Sequence, residues 1–398
     1  MRILIITSKF PRFPNDPQPP FVFYYARELV RLGHEVAVVA PHDRSCRREE
    51  VMEGIKIFRY QYFIPESAQK LSYGPGIPAN VHKSLFSMFQ MPFFIVSQIL
   101  KSRAVSKRFR PDVVHAHWGF PQGLSAKFTG RPYYVNFYGG EMFLAKKFRM
   151  VWMLDYIVKH SKKSFTVTNF YLQLLRQFGF RQDLEIIPLG VNVDNFKPKS
   201  EGYREVRKRF CKRGELLVLF VGRLVEKKGA NYLVEAFAKV ARQVPKARLV
   251  IVGTGPMESG LKAQAKTLGL GDRIVFEGEI SNSNLPAYYS AADVFVLPSV
   301  VDRHGDREGQ GVVYLEAMAC KIPVIGTKTG GIPDVVNPDV GILVEEKDSS
   351  QLAEAIVRLL KNSKLRKSMG EKAYKHVHSH FTWSYIAGKY VDIFRGKK

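Results

Sequence analysis

Four charged side chains in the second half of the chain have the types and spacing to hold an activated, anionic ligand. Seven residues separate Glu308 from Glu316, and the glycine-rich turn between them opens a helix. Arg223 and Lys228 follow an apolar run and can converge on one anion, for which a diphosphate is the natural guest. Gly309 and Gly311 would expose backbone N–H groups at the helix start, which suit the hydroxyls and phosphates of a ligand. Alone, each charged residue is more often a solvated surface residue, but together their spacing favours a binding site.

A glycine pair closes the next apolar run, at Gly253-Thr254-Gly255. It matches the first two glycines of a dinucleotide-binding fingerprint, but Glu258 occupies the third position and Pro256 interrupts the pattern. We therefore predict that Gly253 lies in a turn where two stretches of backbone approach closely. A NAD-dependent dehydrogenase is a remote alternative for this segment.

Histidines form two further groups that raise the question of metal chemistry. His115 and His117 alternate along a predicted strand, so both side chains lie on the same side of it. A metal pair there lacks a third ligand nearby in the sequence, and a packed histidine is the plainer interpretation. Three histidines alternate along the chain at His376, His378 and His380. They would share one face of a strand, but on a helix they would not all lie on the same face. Because the chain also has no Asp-x-Asp pair, we predict no metal and no other cofactor.

The elements that position these residues alternate between short apolar runs and amphipathic stretches along the whole chain. This pattern predicts an α/β fold with two Rossmann-like, doubly wound parallel sheets, one in each half. The strands are predicted at 2–7, 35–40, 113–117, 133–137, 164–168, 216–221, 248–252, 274–276, 294–297 and 323–325. Ligands of such sheets bind beyond the carboxyl ends of the strands, so two facing sheets would place their loops around a central cleft.

The length of 398 residues predicts two domains, because a single core rarely grows beyond about 250–300 residues. Turn residues after Ile187-Pro188 place the boundary at 190, which gives domains 1–190 and 191–380. The apolar pattern of 381–398 predicts a C-terminal helix that packs back onto the first domain. Hydrophobic residues at 45% and charged residues at 24% exclude a disordered or fibrous chain.

Cysteine usage and the lengths of the apolar runs indicate the compartment. Three cysteines without a close pair favour a reducing environment. The longest uncharged stretch, 85–100, is shorter than the roughly 20 apolar residues of a membrane-spanning helix. We predict a cytoplasmic protein, with peripheral contact to the inner face of the cell membrane as a further option.

The charge of the chain favours polyanionic partners, since 61 basic residues against 36 acidic ones give a formal net charge of +25. The window 67–111 holds basic and aromatic residues and no acidic one. Two interpretations of this window stay open. It is either a patch that binds an anionic membrane surface, which we favour, or a helix pair that buries its aromatic side chains and leaves its basic ones in water.

In the second half, the chain resembles the family 4 retaining glycosyltransferases of GT-B architecture over about 187–395. The motifs that carry the resemblance are Gly222-Arg223 with Lys228, Gly253-x-Gly255, Ala292-Asp293-Val294 before Pro298-Ser299, the pair Glu308 and Glu316, Gly330-Gly331-Ile332-Pro333, and Gly341-Ile342-Leu343-Val344. The first half is similar in outline only. The resemblance implies transfer of a hexosyl-type unit from a nucleoside-diphosphate sugar to a hydroxyl of a glycan or lipid-linked acceptor, with retention of anomeric configuration.

The resemblance also implies roles for the donor-binding residues. Arg223 and Lys228 would hold the donor diphosphate and offset the charge that develops as it leaves. Glu316 would bind the ribose hydroxyls, and Glu308, with the backbone of residues 309–312, would face the donor sugar. The backbone around Ile280 would read the base. The basic pair and the acidic pair would then grip opposite ends of a single ligand.

In the first half, the resemblance implies that His117 contacts the transferred sugar, and the donor diphosphate itself would take the proton of the acceptor. Two positions depart from the family: Tyr138 stands where relatives often have a histidine, and the loop 8–14 lacks their paired glycines. A nucleotide-sugar 2-epimerase is the nearest alternative, but it needs acid and base carboxylates in the first domain. A basic nucleic-acid-binding protein is the alternative from another class, and we expect no nucleic acid to bind.

Overall fold

The computed structural model describes residues 1–13, 16, 21–74, 76, 77, 80, 81, 84–147 and 149–397. They form two compact units, one made of Met1–Pro188 with Trp383–Lys398 and the other of Leu189–Thr382. The sequence analysis places the corresponding boundary after residue 190. Each unit has a parallel sheet of its own.

The first unit is built on an eight-stranded sheet. Its strands are β1 (Arg2–Ile6), β2 (Glu35–Pro41), β3 (Glu49–Met52), β4 (Ile55–Tyr60), β5 (Val113–His117), β6 (Tyr133–Phe137), β7 (Lys163–Thr166) and β8 (Glu185–Ile186). They are ordered β3-β4-β2-β1-β5-β6-β7-β8, and every neighbouring pair is parallel except the hairpin β3–β4. β1 and β5 are apolar and almost entirely buried, as is typical of parallel strands packed on both faces.

The helices of the first unit include one from the end of the chain. They are α1 (Phe21–Arg31), α2 (Leu85–Phe89), α3 (Met91–Phe109), α4 (Leu124–Lys127), α5 (Gly140–Lys147), α6 (Val151–Lys159), α7 (Asn169–Gln177) and α15 (Trp383–Phe394). Asn136 on β6 donates a hydrogen bond to the Tyr390 hydroxyl on α15 at 2.5 Å. The Tyr25 ring on α1 packs against the same tyrosine, with ring centroids 5.2 Å apart. The C-terminal helix therefore packs onto α1 and the sheet of the first unit.

The second unit is built on a six-stranded parallel sheet. Its strands are β9 (Leu216–Val221), β10 (Ala247–Val252), β11 (Ile274–Gly278), β12 (Val294–Val296), β13 (Val324–Thr327) and β14 (Gly341–Val344), in the order β11-β10-β9-β12-β13-β14. Its helices are α8 (Tyr203–Phe210), α9 (Ala230–Gln243), α10 (Glu258–Thr267), α11 (Leu285–Ala291), α12 (Val312–Ala319), α13 (Ser349–Lys361) and α14 (Ser363–His380). The direction of winding reverses between β9 and β12, which makes the carboxyl ends of these two strands the expected binding edge.

The hairpin β3–β4 was not predicted from the sequence. Its two-residue turn consists of Glu53 and Gly54, both with positive φ, at 48° and 81°. Positive φ at both central residues is the geometry that joins antiparallel strands most tightly, and the dipeptide Glu-Gly between apolar runs was the available signal. The antiparallel hairpin therefore forms the edge of an otherwise parallel sheet.

The histidines near the end of the chain lie on a helix, and the window 67–111 is described only in part. The three histidines of 376–380 lie on α14, where the Nδ1 atoms of His378 and His380 contact backbone carbonyls one turn back. Within the described residues, no helix is long and apolar enough to cross a bilayer. Part of the window 67–111, including Lys83, lies outside the described residues.

Candidate active site

The loops after β9 and β12 pack tightly at the carboxyl edge of the second sheet. The Val300 N–H donates to the Lys227 carbonyl at 2.9 Å, which ties one loop to the other. Gly229 has a φ of 65°, and a Cβ there would overlap the carbonyl oxygen of Pro298. Only glycine fits this position without displacing backbone. The fold thus holds the basic loop that follows β9 against the acidic loop that follows β12.

Lys228 and Glu308 meet at this edge. The Lys228 ammonium lies 2.5 Å from Glu308 Oε2, and both side chains are 14% exposed. Burial by itself would raise the pKa of the Glu308 carboxyl, but the Lys228 charge and hydrogen bond outweigh burial and hold that pKa below its ordinary value. The sequence analysis expected these two residues at opposite ends of a ligand, whereas the structure pairs them directly. A diphosphate that binds the Lys228 ammonium would therefore share this group with the Glu308 carboxylate.

Arg223 is the cation on this loop that stays exposed. Within the described part of the chain, its guanidinium makes no hydrogen bond and no ion pair. Lys227, on the same loop, is held by Asp306 at 2.8 Å. Of the basic residues on this loop, Arg223 thus has its planar fork available for a phosphate, which it can bind through two parallel hydrogen bonds.

Helix α12 begins beside the ion pair and points its amino end toward the loops. Gly311 precedes it with a φ of 75°, and no side chain caps the helix. The N–H groups of Val312 and Val313 in its first turn therefore have no intrahelical acceptor, and together with the helix dipole they favour an anion. The Gln310 side chain is committed elsewhere, because it accepts from the Leu189 N–H at 2.7 Å and donates to the Leu189 carbonyl at 2.9 Å. Only the backbone of Gln310 is therefore left to bind a ligand.

Glu316 lies farther along α12 and has a partner that the sequence did not reveal. The buried Tyr289 hydroxyl donates to Glu316 Oε2 at 2.7 Å. Burial raises the pKa of Glu316 to about 7, against the opposing effects of Tyr289 and of the Lys228 charge. Tyr289 orients this carboxyl, and one oxygen remains for hydroxyl groups of the kind that a ribose presents.

The remaining predicted donor residues include a close backbone approach. Gly253, with a φ of 128°, lies so near Gly222 that a Cβ would overlap the Gly222 carbonyl oxygen. This is the close-approach turn that the sequence predicts. Ile280 follows β11 and packs, partly buried, against the core of the unit. That the Ile280 backbone binds the base of the nucleotide remains a prediction.

A glycine after β13 fixes the position of Glu308. A Cβ on Gly330, whose φ is 58°, would overlap the carbonyl oxygen of Glu308. The N–H of Gly331 donates to that same oxygen at 3.1 Å. These glycines belong to a family motif, but their contact with Glu308 was not predicted, because it depends on how two loops pack in three dimensions.

In the first unit, the two histidines of β5 differ in their partners. The ring nitrogens of His115 contact the Tyr25 hydroxyl at 2.8 Å and Asn136 Oδ1 at 2.6 Å, and burial lowers its pKa to about 4. His117 contacts the Tyr138 hydroxyl through Nδ1 at 2.6 Å. Its Nε2 is buried and has no hydrogen-bond partner in the described part of the chain. His115 is thus a packed, fully bonded histidine, and His117 keeps one nitrogen for a ligand.

Glu141 is a buried carboxyl close to His117 that received no role from the sequence. Its Oε1 accepts from the Tyr138 N–H at 3.0 Å and from the Gly119 N–H at 3.4 Å. Its Oε2 is buried without a hydrogen-bond partner among the described residues. Burial raises the pKa of Glu141 to about 7, despite these backbone hydrogen bonds. Nearby, Trp118 has a φ of 85°, a strained value for a bulky residue that is typical of functional sites.

Glu141→Gln is expected to raise the thermal stability at pH 8 and to leave it nearly unchanged at pH 5. The folded-state pKa of about 7 lies above the ordinary value of 4.5, so the stability linked to this proton is present below pH 4.5 and is lost as the pH rises through 7. Glutamine is neutral and keeps the acceptor oxygen, so at pH 8 it should recover about 3 kcal/mol. Thermal unfolding at both pH values measures this, with the exposed Glu354→Gln as control. Equal effects of Glu141→Gln at both pH values would contradict the raised pKa.

Groups of three or more potential metal ligands are absent from the described residues. At the edge of the second sheet, Glu308 is paired with Lys228 and Glu316 is bonded to Tyr289. That the protein needs no metal remains a prediction.

Comparison with known proteins places the chain in a family. Residues 20–195 match the model "Glycosyltransferase Family 4", and residues 204–376 match "Glycosyl transferases group 1". The chain resembles sucrose-phosphate synthase from Thermosynechococcus elongatus, with a TM-score of 0.76 and 23% identity over 99% of this chain and 98% of that one. It also resembles Anabaena HepE in complex with UDP, with a TM-score of 0.73 and 17% identity over 100% of both chains. These likenesses show the GT-B fold. The chain belongs to the family 4 glycosyltransferases.

Curated relatives differ in how much of their length is matched. A GDP-mannose-dependent alpha-(1-6)-phosphatidylinositol monomannoside mannosyltransferase of Mycobacterium tuberculosis is 36% identical over 55% of this chain. The match spans 57% of the length of that relative. A putative teichuronic acid biosynthesis glycosyltransferase of Bacillus subtilis, TuaC, is 27% identical over 96% of this chain and 95% of its own length.

Proposed function

We propose that this chain is a glycosyltransferase that moves a hexosyl unit from a nucleoside-diphosphate sugar to a hydroxyl, with retention of anomeric configuration. The observation that carries the proposal is the Lys228–Glu308 pair beside the uncapped start of α12. An ammonium, an exposed guanidinium and free helix N–H groups are then available on loops at the same edge of the sheet. This combination suits a leaving diphosphate, whose negative charge grows as the bond to the sugar breaks.

The proposed reaction forms one bond and breaks one bond at the anomeric carbon. The bond from that carbon to the diphosphate oxygen breaks, and a bond to the acceptor oxygen forms on the same face of the sugar. The proton of the acceptor hydroxyl passes to the diphosphate. Arg223 and Lys228 stabilise the diphosphate, Glu308 orients Lys228, and Glu316 holds the ribose. No side chain has to serve as a nucleophile in this scheme.

Relatives support the nature of both substrates. HepE is bound to UDP in its structure, and the matched mycobacterial protein is named for GDP-mannose and a phosphatidylinositol mannoside. We propose a nucleoside-diphosphate sugar as the donor and a lipid-linked or glycan hydroxyl as the acceptor. A panel of UDP-, GDP- and ADP-sugars, incubated with extracted membrane glycolipids and followed by mass spectrometry, tests this directly. Transfer from none of these donors would overturn it.

His117 is proposed to contact the transferred sugar through its free Nε2. His117→Leu should lower kcat/KM for transfer about 10- to 100-fold and the free energy of unfolding by only about 1 kcal/mol, because Nε2 has no partner among the described residues and Nδ1 loses a single bond, to the Tyr138 hydroxyl. His115→Leu is the matched control. It strands the Tyr25 hydroxyl and the Asn136 carbonyl oxygen, so it should lower the free energy of unfolding by about 2–3 kcal/mol. The reverse pattern would contradict the distinction between the two histidines.

Nucleotide-sugar 2-epimerisation is the second candidate, and one observation favours it. The alternative requires an acid or base carboxyl in the first unit, and Glu141, with its raised pKa and free oxygen, is such a group. Inverting the configuration at C2 of the sugar requires removal of the proton bonded to that carbon. Incubation of the donor alone in heavy water separates the two reactions: an epimerase incorporates deuterium at C2, and a transferase does not.

We also propose peripheral contact with an anionic membrane through α2 and the first half of α3. Leu85 is 81% exposed on α2, and the exposed apolar residues of the two helices continue through Phe86, Met88, Phe89, Phe93, Val96 and Leu100. Exposed apolar surface of this extent marks an interaction site. Basic residues lie farther along α3, although Lys101 and Arg108 each pair with Glu49.

Vesicle sedimentation tests the membrane contact. The protein should sediment with phosphatidylglycerol vesicles and far less with phosphatidylcholine vesicles, because both the apolar face and the net charge contribute. Phe89→Ser with Phe93→Ser should abolish the binding. Val51→Ser, which changes a 70% exposed apolar residue on β3, should not. Equal sedimentation with both vesicle types would defeat the proposal, and tight, salt-dependent binding to DNA instead would favour a nucleic-acid-binding protein.

A further inference from the structure

The first unit contains a partly open cavity of about 480 Å³ between its helices and the loops that follow β1 and β5. Its walls are apolar and come chiefly from the helical segments before and within α3 and from α6. The wall residues that matter below are Ile77, Val81, Met88, Met91, Ile95 and Leu154. The volume lies in the range of small-molecule sites, and it is large enough for part of a long hydrocarbon chain.

One side of the cavity is polar. Gln122, just beyond β5, and Glu141, at the start of α5, line it beside Ser8 and Lys9, which follow β1. These residues stand at the carboxyl edge of the first sheet, where its winding reverses between β1 and β5. The cavity therefore joins an apolar interior to the edge at which ligands of such sheets bind.

Two polar groups on this side are buried and unsatisfied. Gln122 is 1% exposed, and within the described part of the chain neither its amide nitrogen nor its amide oxygen has a hydrogen-bond partner. Glu141 is 5% exposed, and its Oε2 likewise has no hydrogen-bond partner among these residues. Buried groups of this kind are rare in folded proteins, because each one costs about 1–3 kcal/mol. Their presence in the wall of a cavity indicates a ligand that bonds to them.

The chemistry of these atoms selects the polar group of the ligand. The Gln122 amide offers N–H donors and one acceptor oxygen, and Glu141 Oε2 offers an acceptor when it is ionised. A hydroxyl can accept from the Gln122 nitrogen and donate to Glu141 Oε2 at once, so it pairs one atom of each residue. An anionic group would accept from the Gln122 nitrogen and leave both oxygens unpaired.

The apolar wall belongs to the helices that carry the exposed apolar residues. Met88 and Met91 line the cavity from α2 and α3, and Met88 is also partly exposed, beside the exposed Leu85 and Phe89 on α2. The same two helices thus form a wall of the cavity and the surface proposed to touch a membrane. A hydrocarbon chain has a continuous apolar path between the two.

We propose that this cavity binds the hydrocarbon chain of a lipid alcohol, with its hydroxyl bonded to Gln122 and Glu141. The identification of that alcohol as the glycosyl acceptor rests on the proposed function. The cavity itself would then select an acceptor by its chain, in addition to any selection by sugar contacts.

Binding of 1-decanol, measured by isothermal titration calorimetry with the full chain, tests the proposal. Decanol should bind at least tenfold more tightly than its methyl ether, which cannot donate a hydrogen bond, and 1-butanol should bind too weakly to detect. Ile95→Phe fills the cavity and should weaken decanol binding at least tenfold. Val51→Phe, on β3 and 70% exposed, should leave it unchanged. Equal loss in both variants, or no decanol binding at all, would overturn the proposal.

Gln122→Leu supplies a second readout that a misfolded protein would not give. It should remove the preference for decanol over the methyl ether and, because it deletes two unsatisfied atoms, raise the melting temperature of the free protein. A preference that survives this change would overturn the assignment of Gln122. Nucleoside-diphosphate binding serves as the separate check on the proposed function. If a nucleotide binds but decanol does not, the cavity proposal alone fails, and if decanol binds but no nucleotide does, the proposed function fails.

Discussion

Lys228→Met is expected to lower kcat/KM for sugar transfer about 100- to 1000-fold. The ammonium lies beside the uncapped start of α12, where the leaving diphosphate is proposed to gain charge, and removing one such preorganised group has an effect of this size. Steady-state kinetics with the preferred donor measures the change. The fall should appear mainly in kcat, because an interaction that strengthens as the bond breaks affects the chemical step more than binding.

A double variant separates this effect from loss of stability. Lys228→Met alone leaves the Glu308 carboxylate largely buried without its partner, which should lower the free energy of unfolding by about 2 kcal/mol. Adding Glu308→Gln removes the stranded charge, so stability should return while transfer stays slow. Recovery of transfer together with stability would show that Lys228 has only a structural role.

Gly330→Ala is expected to lower the free energy of unfolding by about 3 kcal/mol and to reduce transfer at least 100-fold. The added methyl would stand in the left-handed region of the backbone and overlap the carbonyl oxygen of Glu308. Relief of that overlap moves the loop that carries Glu308, and small displacements of catalytic groups have large effects on rate. Thermal unfolding and transfer kinetics measure both effects.

Gly260→Ala is the matched control for this prediction. Gly260 lies in α10, and a Cβ there meets nothing within 4 Å. Alanine favours a helix by up to about 1 kcal/mol over glycine, so this variant should be as stable as the wild type or slightly more stable. Equal losses in the two variants would show that the overlap at Gly330 is not what destabilises the loop.

Local sequence patterns were sufficient to predict most of the strands. β5, β6 and β9 have the predicted bounds, because each is a short apolar run ended by turn residues, and burial on both faces leaves a strong apolar signal. The edge strand β14 and the edge hairpin β3–β4 were not among the predicted strands. Half-exposed edge strands carry little apolar pattern, and β3 alternates only between exposed and partly buried residues.

The candidate site was predictable only where spacing along the chain determines proximity. Arg223 and Lys228 share one loop, and Glu308 and Glu316 flank one turn, so their grouping could be read from the sequence. Partners from distant segments could not. Tyr289 reaches Glu316 from α11, and the direct pairing of Lys228 with Glu308 depends on how two loops pack at the switch point. The same limit hid the free oxygen of Glu141.

Thermal stability in the presence of nucleoside diphosphates tests the central claim most directly. If the edge of the second sheet binds a donor diphosphate, then UDP, GDP or ADP at 100 times its dissociation constant should stabilise the folded protein by about 2.7 kcal/mol. The shift should be lost in the combined variant Arg223→Ala with Lys228→Met, and kept in Gly260→Ala. Absence of a shift with all three nucleotides, or a full shift in the combined variant, would contradict the claim that these two residues hold the diphosphate.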